Sequence, residues 1–238
     1  GESPTMLNMY EVNTVIKKIL KKKVYAIIIN GCGLGYLDTT YSLSTVSEFI
    51  YSGMLYRDYA SVDLAHLICN LQNSQENVKK ETLVGPVMKN LFKRANFAFC
   101  IYDSSLVADL YRLIMALGGL LQALIQDKRI FSAVEKASQQ SNTNHSPMKD
   151  FVVDIFRFTE ELNANCNEVA VTNICKDIYK LKYNLIETTS VYHTPNLAVF
   201  FPTTLIESSS DRYNVDLSNL NEWEKFVLHF VSSRNANQ

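Results

Sequence analysis

Six consecutive apolar residues, Val24-Tyr25-Ala26-Ile27-Ile28-Ile29, run straight into the glycine-rich stretch Asn30-Gly31-Cys32-Gly33-Leu34-Gly35. The run has strand length and no polar alternation, so both faces must be covered, as in a parallel sheet packed under helices. A strand of that kind cannot stand at a sheet edge without leaving N–H and C=O groups unpaired. The chain therefore has to bury a strand here and turn sharply after it.

The flanking sequence supplies helices for that sheet. Residues 9 to 22 set Val12, Val15, Ile16, Ile19 and Leu20 at helical spacing and end in Lys21-Lys22-Lys23, cations suited to a helix C-terminus. A further helix is expected from near Asp38, then a strand at Glu48 to Ser52 and a loop over 53 to 60. Helices are expected at about 60 to 72 and 84 to 94. Asn96 to Tyr102 reads as a strand, and Asp103-Ser104-Ser105 is a helix N-cap cluster. It opens a long helical pattern to about Gln126, with a bend expected at Gly118-Gly119. Residues 138 to 148 are polar and turn-rich, a loop and weak subdomain boundary. Helices are expected at 149 to 163 and 166 to 187. A strand at Asn196 to Phe201 is closed by Pro202, and a terminal helix over Ser218 to Val231 packs Leu220, Trp223, Phe226, Val227 and Phe230. Strands alternating with helices indicate an α/β sandwich.

Composition narrows the function. The 238 residues allow one large domain or two small ones, and 47% hydrophobic residues is ordinary for a folded chain. Lys and Arg number 23 against 24 Asp and Glu, so no charge excess exists to hold a phosphate backbone, and a nucleic-acid partner is not expected. No run reaches 18 apolar residues, and Leu113 to Ile125 is broken by Gln122, which argues against a membrane span. The first residues show no basic region followed by an apolar one, so no signal peptide is read there, although a mature chain would look the same. The cysteines are Cys32, Cys69, Cys100, Cys166 and Cys175, an odd set without a C-x-x-C pair. Zinc spacing is absent and a disulfide framework is not expected. Four read as small buried hydrophobes, with Cys32 the exception.

Open parallel sheets hold their ligands just beyond the carboxyl ends of the strands. Cys32 lies there, three residues past Ile29, with Gly31 and Gly33 leaving the backbone bare on either side. The amides of Cys32 and Gly33 are free to face a developing oxyanion, and a following helix N-terminus favours a thiolate. A dinucleotide reading fails on spacing, since Gly31, Gly33 and Gly35 stand as G-x-G-x-G and no acid ends a second strand downstream. The competing reading is an inert thiol in a tight turn.

Asn30-Gly31-Cys32-Gly33-Leu34-Gly35-Tyr36-Leu37-Asp38, after its apolar strand, resembles the nucleophile segment of the clostripain-like cysteine peptidases, family C11 of the caspase-like clan. Phe49-Ile50-Tyr51-Ser52-Gly53 is similar to that family's next strand and loop, Phe97 to Leu106 to a later strand, and Pro195 to Pro202 to its final strand. The resemblance implies a caspase-like α/β/α sandwich with a mostly parallel sheet and additional helices. Residues 1–102 would be the cysteine-bearing part, and 103–238 the remaining strands and helical C-terminal part of the same domain. It further implies a cysteine endopeptidase that cleaves after basic residues. Cys32 would be the nucleophile and Gly33 the backbone turn beside it, with Asn30, Ser52 and Asp58 lining the substrate pocket. Asn30 stands where the family has Asp, Gly33 and Leu34 replace Leu and Met, and Gly53 replaces an acid, which leaves Asp58 as the pocket anion.

The family's histidine precedes the cysteine strand, whereas His66, His145, His193 and His229 all follow it. The resemblance therefore implies the second, larger piece of a processed enzyme, partnered by an upstream histidine-bearing fragment of the same precursor and acting on a peptide or protein substrate. The alternative is a non-catalytic interaction protein on the same fold. A secreted or cell-envelope location follows from the resemblance alone. No cofactor is expected. Some members use calcium, but no D-x-D-x-D-G loop is present.

Overall fold

The computed structural model describes residues 9–29, 36–53, 99–141, 152–188, 197–202 and 221–236. The chain forms two compact units, Gly1–Val107 with Leu185–Pro195, and Ala108–Asn184 with Asn196–Gln238.

The first unit opens with α1 (Met9–Leu20), β1 (Val24–Ile29), α2 (Leu37–Ser44) and β2 (Ser47–Gly53). α1 ends where Lys21 takes a left-handed backbone, φ 53°, and its amide donates to the Lys17 carbonyl at 3.3 Å. Asn13 ties α1 to α2: its Nδ2 donates to the Ser42 carbonyl at 2.7 Å and to Thr45 Oγ1 at 2.9 Å. Lys23 Nζ donates to the Ser44 carbonyl at 2.9 Å, which pins the α1–β1 connection to the end of α2. β1 and β2 pair in parallel, from Val24 opposite Ser47 to Ile29 opposite Ser52. The parallel pair needs a crossover, and α2 is that crossover, packed on β2 with Leu37 and Leu43 buried.

β3 (Phe99–Asp103) pairs antiparallel with β2, and β5 (Ile186–Thr188) pairs antiparallel with β3, giving the order β1-β2-β3-β5. Ile50, Tyr51, Ile101 and Tyr102 are almost fully buried in the middle of this sheet. β1 is half-buried along its whole length.

The second unit is mostly helical. It contains most of α3 (Ser104–Leu124), then α4 (Lys128–Gln140), β4 (Val152–Asp154), α5 (Ile155–Asn165), α6 (Val169–Leu185), β6 (Ala198–Phe200) and α7 (Glu222–Ala236). α3 is capped by Asp103, whose Oδ1 accepts from the Ser105 amide at 2.9 Å. By length and composition α3 could cross a membrane. It buries Val107, Leu110, Ile114, Leu117 and Leu121 completely, a stripe at i, i+3, i+7 spacing, and carries the exposed Arg112–Asp109 pair on its outer side. β4 and β6 pair antiparallel in a two-stranded sheet. An aromatic cluster fills the space beneath: Phe158 stands edge-on to Trp223 at 5.5 Å, Phe201 meets Phe230 at 5.6 Å, and Trp223 Nε1 donates to the Phe200 carbonyl at 2.9 Å.

Several expectations change. Among the described residues the four-stranded sheet is mixed, with one parallel and two antiparallel pairings, and the two-stranded sheet is antiparallel. Apolar runs specify burial but carry no direction, so a mostly parallel sheet does not follow from them. The segment from 149 begins with strand β4 from Val152 before the helix, and the helix after 166 ends in strand β5. α4 lies where no helix was expected. It is capped by Asp127, which accepts from the Arg129 amide at 2.8 Å, and buries Ile130, Ala133, Val134 and Ala137 behind a polar outer face. α3 runs unbroken through Gly118-Gly119. The first of these glycines serves a close helix approach: a Cβ there would lie 2.7 Å from the Trp223 Cα. The terminal helix begins at Glu222 and buries Trp223, Phe226, Val227 and Phe230 as expected, while Leu220 lies outside the described residues.

Candidate functional site

β1 and β2 run side by side and end together, so their carboxyl ends form one rim of the sheet. At the last rung Ile29 stands opposite Ser52, and Ser52 in turn stands opposite Cys100 of β3. Cys100 is opposite Thr188 of β5, so one row of backbone crosses all four strands at this rim. The glycine-rich stretch with Cys32 follows Ile29 directly and leads to α2, whose N-cap residue is Tyr36. The cap is made without a side-chain bond, and Asp38 sits in the first turn. The rim is where an α/β sheet offers strand ends and a helix N-terminus to a ligand.

Of the expected site residues, Ser52 is in β2, at the rim. Asn30, Cys32, Gly33 and Asp58 lie outside the described residues, as do His66, His145 and His193. His229 belongs to α7 in the second unit, where its Nε2 lies 3.1 Å from Gln126 Nε2, a contact between the middle of α7 and the turn that follows α3. Cys166 and Cys175 are free and buried, as expected, and burial with Cys166 nearby pushes the Cys175 thiol up to about 12. Cys175 is therefore a poor nucleophile at neutral pH, and Cys166 is walled off by burial.

The other edge of β1 is the second feature of this region. β1 stands at the end of the strand order, with β2 on one side and no strand on the other among the described residues. The Val24 amide donates to the Val46 carbonyl at 2.9 Å, so Val24, Ala26 and Ile28 direct their backbone groups to β2. By the alternation of the ladder, Ile27 and Ile29 direct theirs to the open edge.

One buried acid had not been expected. Asp154 is 5% exposed and caps α5, its Oδ1 accepting from the amides of Phe156 and Arg157 at 2.9 and 3.0 Å. Burial raises its carboxyl to about 6 against the opposing pull of those amides and of Lys182. The signal was an Asp directly before an apolar helical run. In the same unit an open cleft of about 450 Å³ is lined by Lys128, Arg129, Ser132, Ala133, Lys136 and Asn165. It has no carboxylate, imidazole or thiol. Among the described residues no group of His, Cys, Asp or Glu is arranged to hold a metal ion.

No family model and no curated protein matches the sequence. Solved structures do. The chain is similar to a clostripain from Bacteroides thetaiotaomicron in complex with a peptide inhibitor, with TM-score 0.60 and 8% identity over 94% of this chain and 96% of that one. It is similar to a cysteine protease of B. fragilis, with TM-score 0.58 and 9% identity over 97% of both chains. It is also similar to a secreted C11 cysteine protease from Bacteroides thetaiotaomicron, with TM-score 0.57 and 10% identity over 93% of this chain and 63% of that one. The fold is thus a mixed α/β arrangement, rich in helix, resembling the caspase-like C11 proteases. The resemblance seen in the sequence extends through most of the chain in three dimensions.

Proposed function

We propose that this chain is the cysteine-bearing piece of a clostripain-like endopeptidase, whose caspase-like α/β/α sandwich is completed by an upstream fragment bringing a histidine. The observation that carries the proposal is the open edge of β1. Among the described residues, the half-buried apolar strand that runs into the Cys32 stretch has no neighbour on the side where this fold needs another strand.

In this reading the Cys32 thiolate attacks the substrate carbonyl carbon, and the oxyanion is held by backbone amides at the turn. The partner's histidine protonates the departing amine as the C–N bond breaks. Water then adds to the thioester, and the acid product leaves as the thiol is restored. Asp58 receives a basic side chain on the amino side of the cleaved bond, with Asn30 and Ser52 beside it. A secreted location is proposed by analogy with the similar protease described as secreted.

The substitutions at Asn30, Gly33 and Leu34 favour a second reading, an assembled but non-catalytic protein on this fold. The test is to mix the chain with the polypeptide encoded upstream in its precursor and add a peptide ketone alkylator ending in lysine. Intact mass is then read for each chain. The peptidase reading expects one adduct on Cys32 that depends on the upstream chain. Assembly without an adduct selects the second reading.

A further inference from the structure

We infer that the lysine-rich end of α1 docks on an anionic lipid surface, with Lys18 and Lys22 against the headgroups and Ile19 seated among them. The inference goes beyond the peptidase reading and does not depend on it.

Lys17-Lys18-Ile19-Leu20-Lys21-Lys22-Lys23 holds five cations in seven residues, and no Asp or Glu occurs from Val12 to Leu37. The chain leans the other way elsewhere: of its 23 Lys and Arg, the 18 outside this segment face all 24 Asp and Glu. Such an asymmetry within a nearly neutral chain marks a surface for an anionic partner. All seven residues are exposed. Among the described residues Lys17, Lys18, Lys21 and Lys22 take part in no ion pair, and Lys23 Nζ donates to the Ser44 carbonyl. The helix dipole accounts for Lys17 and Lys18 in the last turn of α1, and not for three more lysines beyond it.

The side chains beside these lysines select lipid. Ile19 is 70% and Val15 48% exposed, one turn apart on the same side of α1. The opposite side is already held, since Asn13 is buried and donates to the Ser42 carbonyl and to Thr45 Oγ1. At 100° per residue Val15 lies about 160° around the helix from Asn13, and Lys18 about 60° from Val15. Lys18 and the aliphatic pair therefore share the outward side, and Lys22 follows just past the helix end. Glu11, the acid of α1, stands in the first turn, at the far end. A lysine keeps its ammonium at the level of the phosphates while its stem lies along apolar surface, so Ile19 enters the acyl boundary beside Lys18. A nucleic acid or polyphosphate would use the lysines and leave Ile19 in water. Clustered lysines with one or two aliphatic side chains give reversible adsorption, not anchoring.

The experiment measures cosedimentation of the full chain with phosphatidylcholine vesicles containing phosphatidylglycerol, and with phosphatidylcholine alone. The wild type should bind the mixed vesicles only and release them as salt rises. Lys18→Gln with Lys22→Gln should weaken binding by about tenfold or more. Ile19→Ser should weaken it by about threefold or more. Both variants change exposed side chains, and each is checked for an unchanged thermal unfolding curve. A wild type that ignores the mixed vesicles overturns the inference. Full binding by the lysine variant overturns it as well, because another surface, α3 included, then carries the contact. If the lysine pair matters but Ile19→Ser binds as tightly as the wild type, and inorganic polyphosphate displaces the vesicles, the patch is a polyanion site and the lipid assignment falls.

Discussion

Ile29 and Ser52 face each other across the last rung of the parallel ladder, and the thiol of interest follows Ile29 by three residues. The rung fixes where the glycine-rich Cys32 segment leaves the sheet. On the proposed peptidase reading, Cys32→Ala should abolish peptide hydrolysis by the assembled pair, by at least about a thousandfold in kcat, without shifting its urea midpoint. Hydrolysis that survives the change in a purified preparation would refute the peptidase mechanism.

The buried thiols give a contrast. Cys175 is 1% exposed with its pKa pushed up to about 12, and Cys166 is 5% exposed. In the native protein iodoacetamide at pH 8 should leave both unmodified, while urea exposes both within the same treatment. Mass spectrometry of tryptic peptides reads the difference, and rapid native labelling of Cys175 would contradict the packing described.

Gly118 and Gly119 are adjacent on α3 but should respond in opposite ways. A Cβ on Gly118 meets backbone atoms of Trp223 at 2.7 and 2.8 Å, which cannot move without shifting α7. A Cβ on Gly119 meets only the Glu222 carboxylate, at 3.8 Å. Gly118→Ala should cost about 1–3 kcal/mol in urea unfolding. Gly119→Ala should be neutral or stabilise by up to about 1 kcal/mol through helix propensity.

Asp154 makes stability depend on pH in the direction opposite to most acids. Its folded pKa is raised from 3.8 to about 6, so the folded state holds the proton more tightly than the unfolded chain. The stabilisation is complete below about pH 4 and is lost as pH rises through 6. The shift corresponds to a loss on the order of 3 kcal/mol across that window. Asp154→Asn keeps a capping oxygen and removes the titration. Its unfolding free energy should vary less between pH 4 and 6.5 than that of the wild type, and identical pH profiles would refute the assignment.

Lys21 holds a left-handed conformation, φ 53°, at the end of α1. Lys21→Gly should relieve that strain and raise stability by about 0.5–1 kcal/mol, and Lys21→Val should lower it. A Gly variant less stable than the wild type in urea would show that the lysine side chain outweighs the backbone effect.

Local patterns made much of the first unit legible. The limits of β1 follow from an apolar run bounded by Lys23 and Asn30, and α1 follows from its periodicity. Asp103 signals the start of α3 because its short carboxylate reaches the Ser105 amide. Trp223, Phe226, Val227 and Phe230 mark the buried face of α7 for the same reason of spacing. Each of these is decided within one or two helical turns or a few strand residues. α4 escaped notice because its four small or aliphatic buried residues are diluted by Lys, Glu, Ser and Gln on the outer face. β4 was hidden in a helical pattern because three residues are too few to show a period.

The sequence by itself determined that an apolar strand runs directly into a cysteine-bearing, glycine-rich stretch, since hydrophobicity and glycine content are properties of the residues in place. Only the tertiary structure decided that β3 runs antiparallel to β2 and β5 to β3, that β1 stands at the end of the strand order among the described residues, and that Ser52 rather than another residue faces Ile29. Strand direction and neighbour are set by backbone hydrogen bonds between segments as far apart as Tyr51 and Ile101, and every residue type carries the same amide and carbonyl.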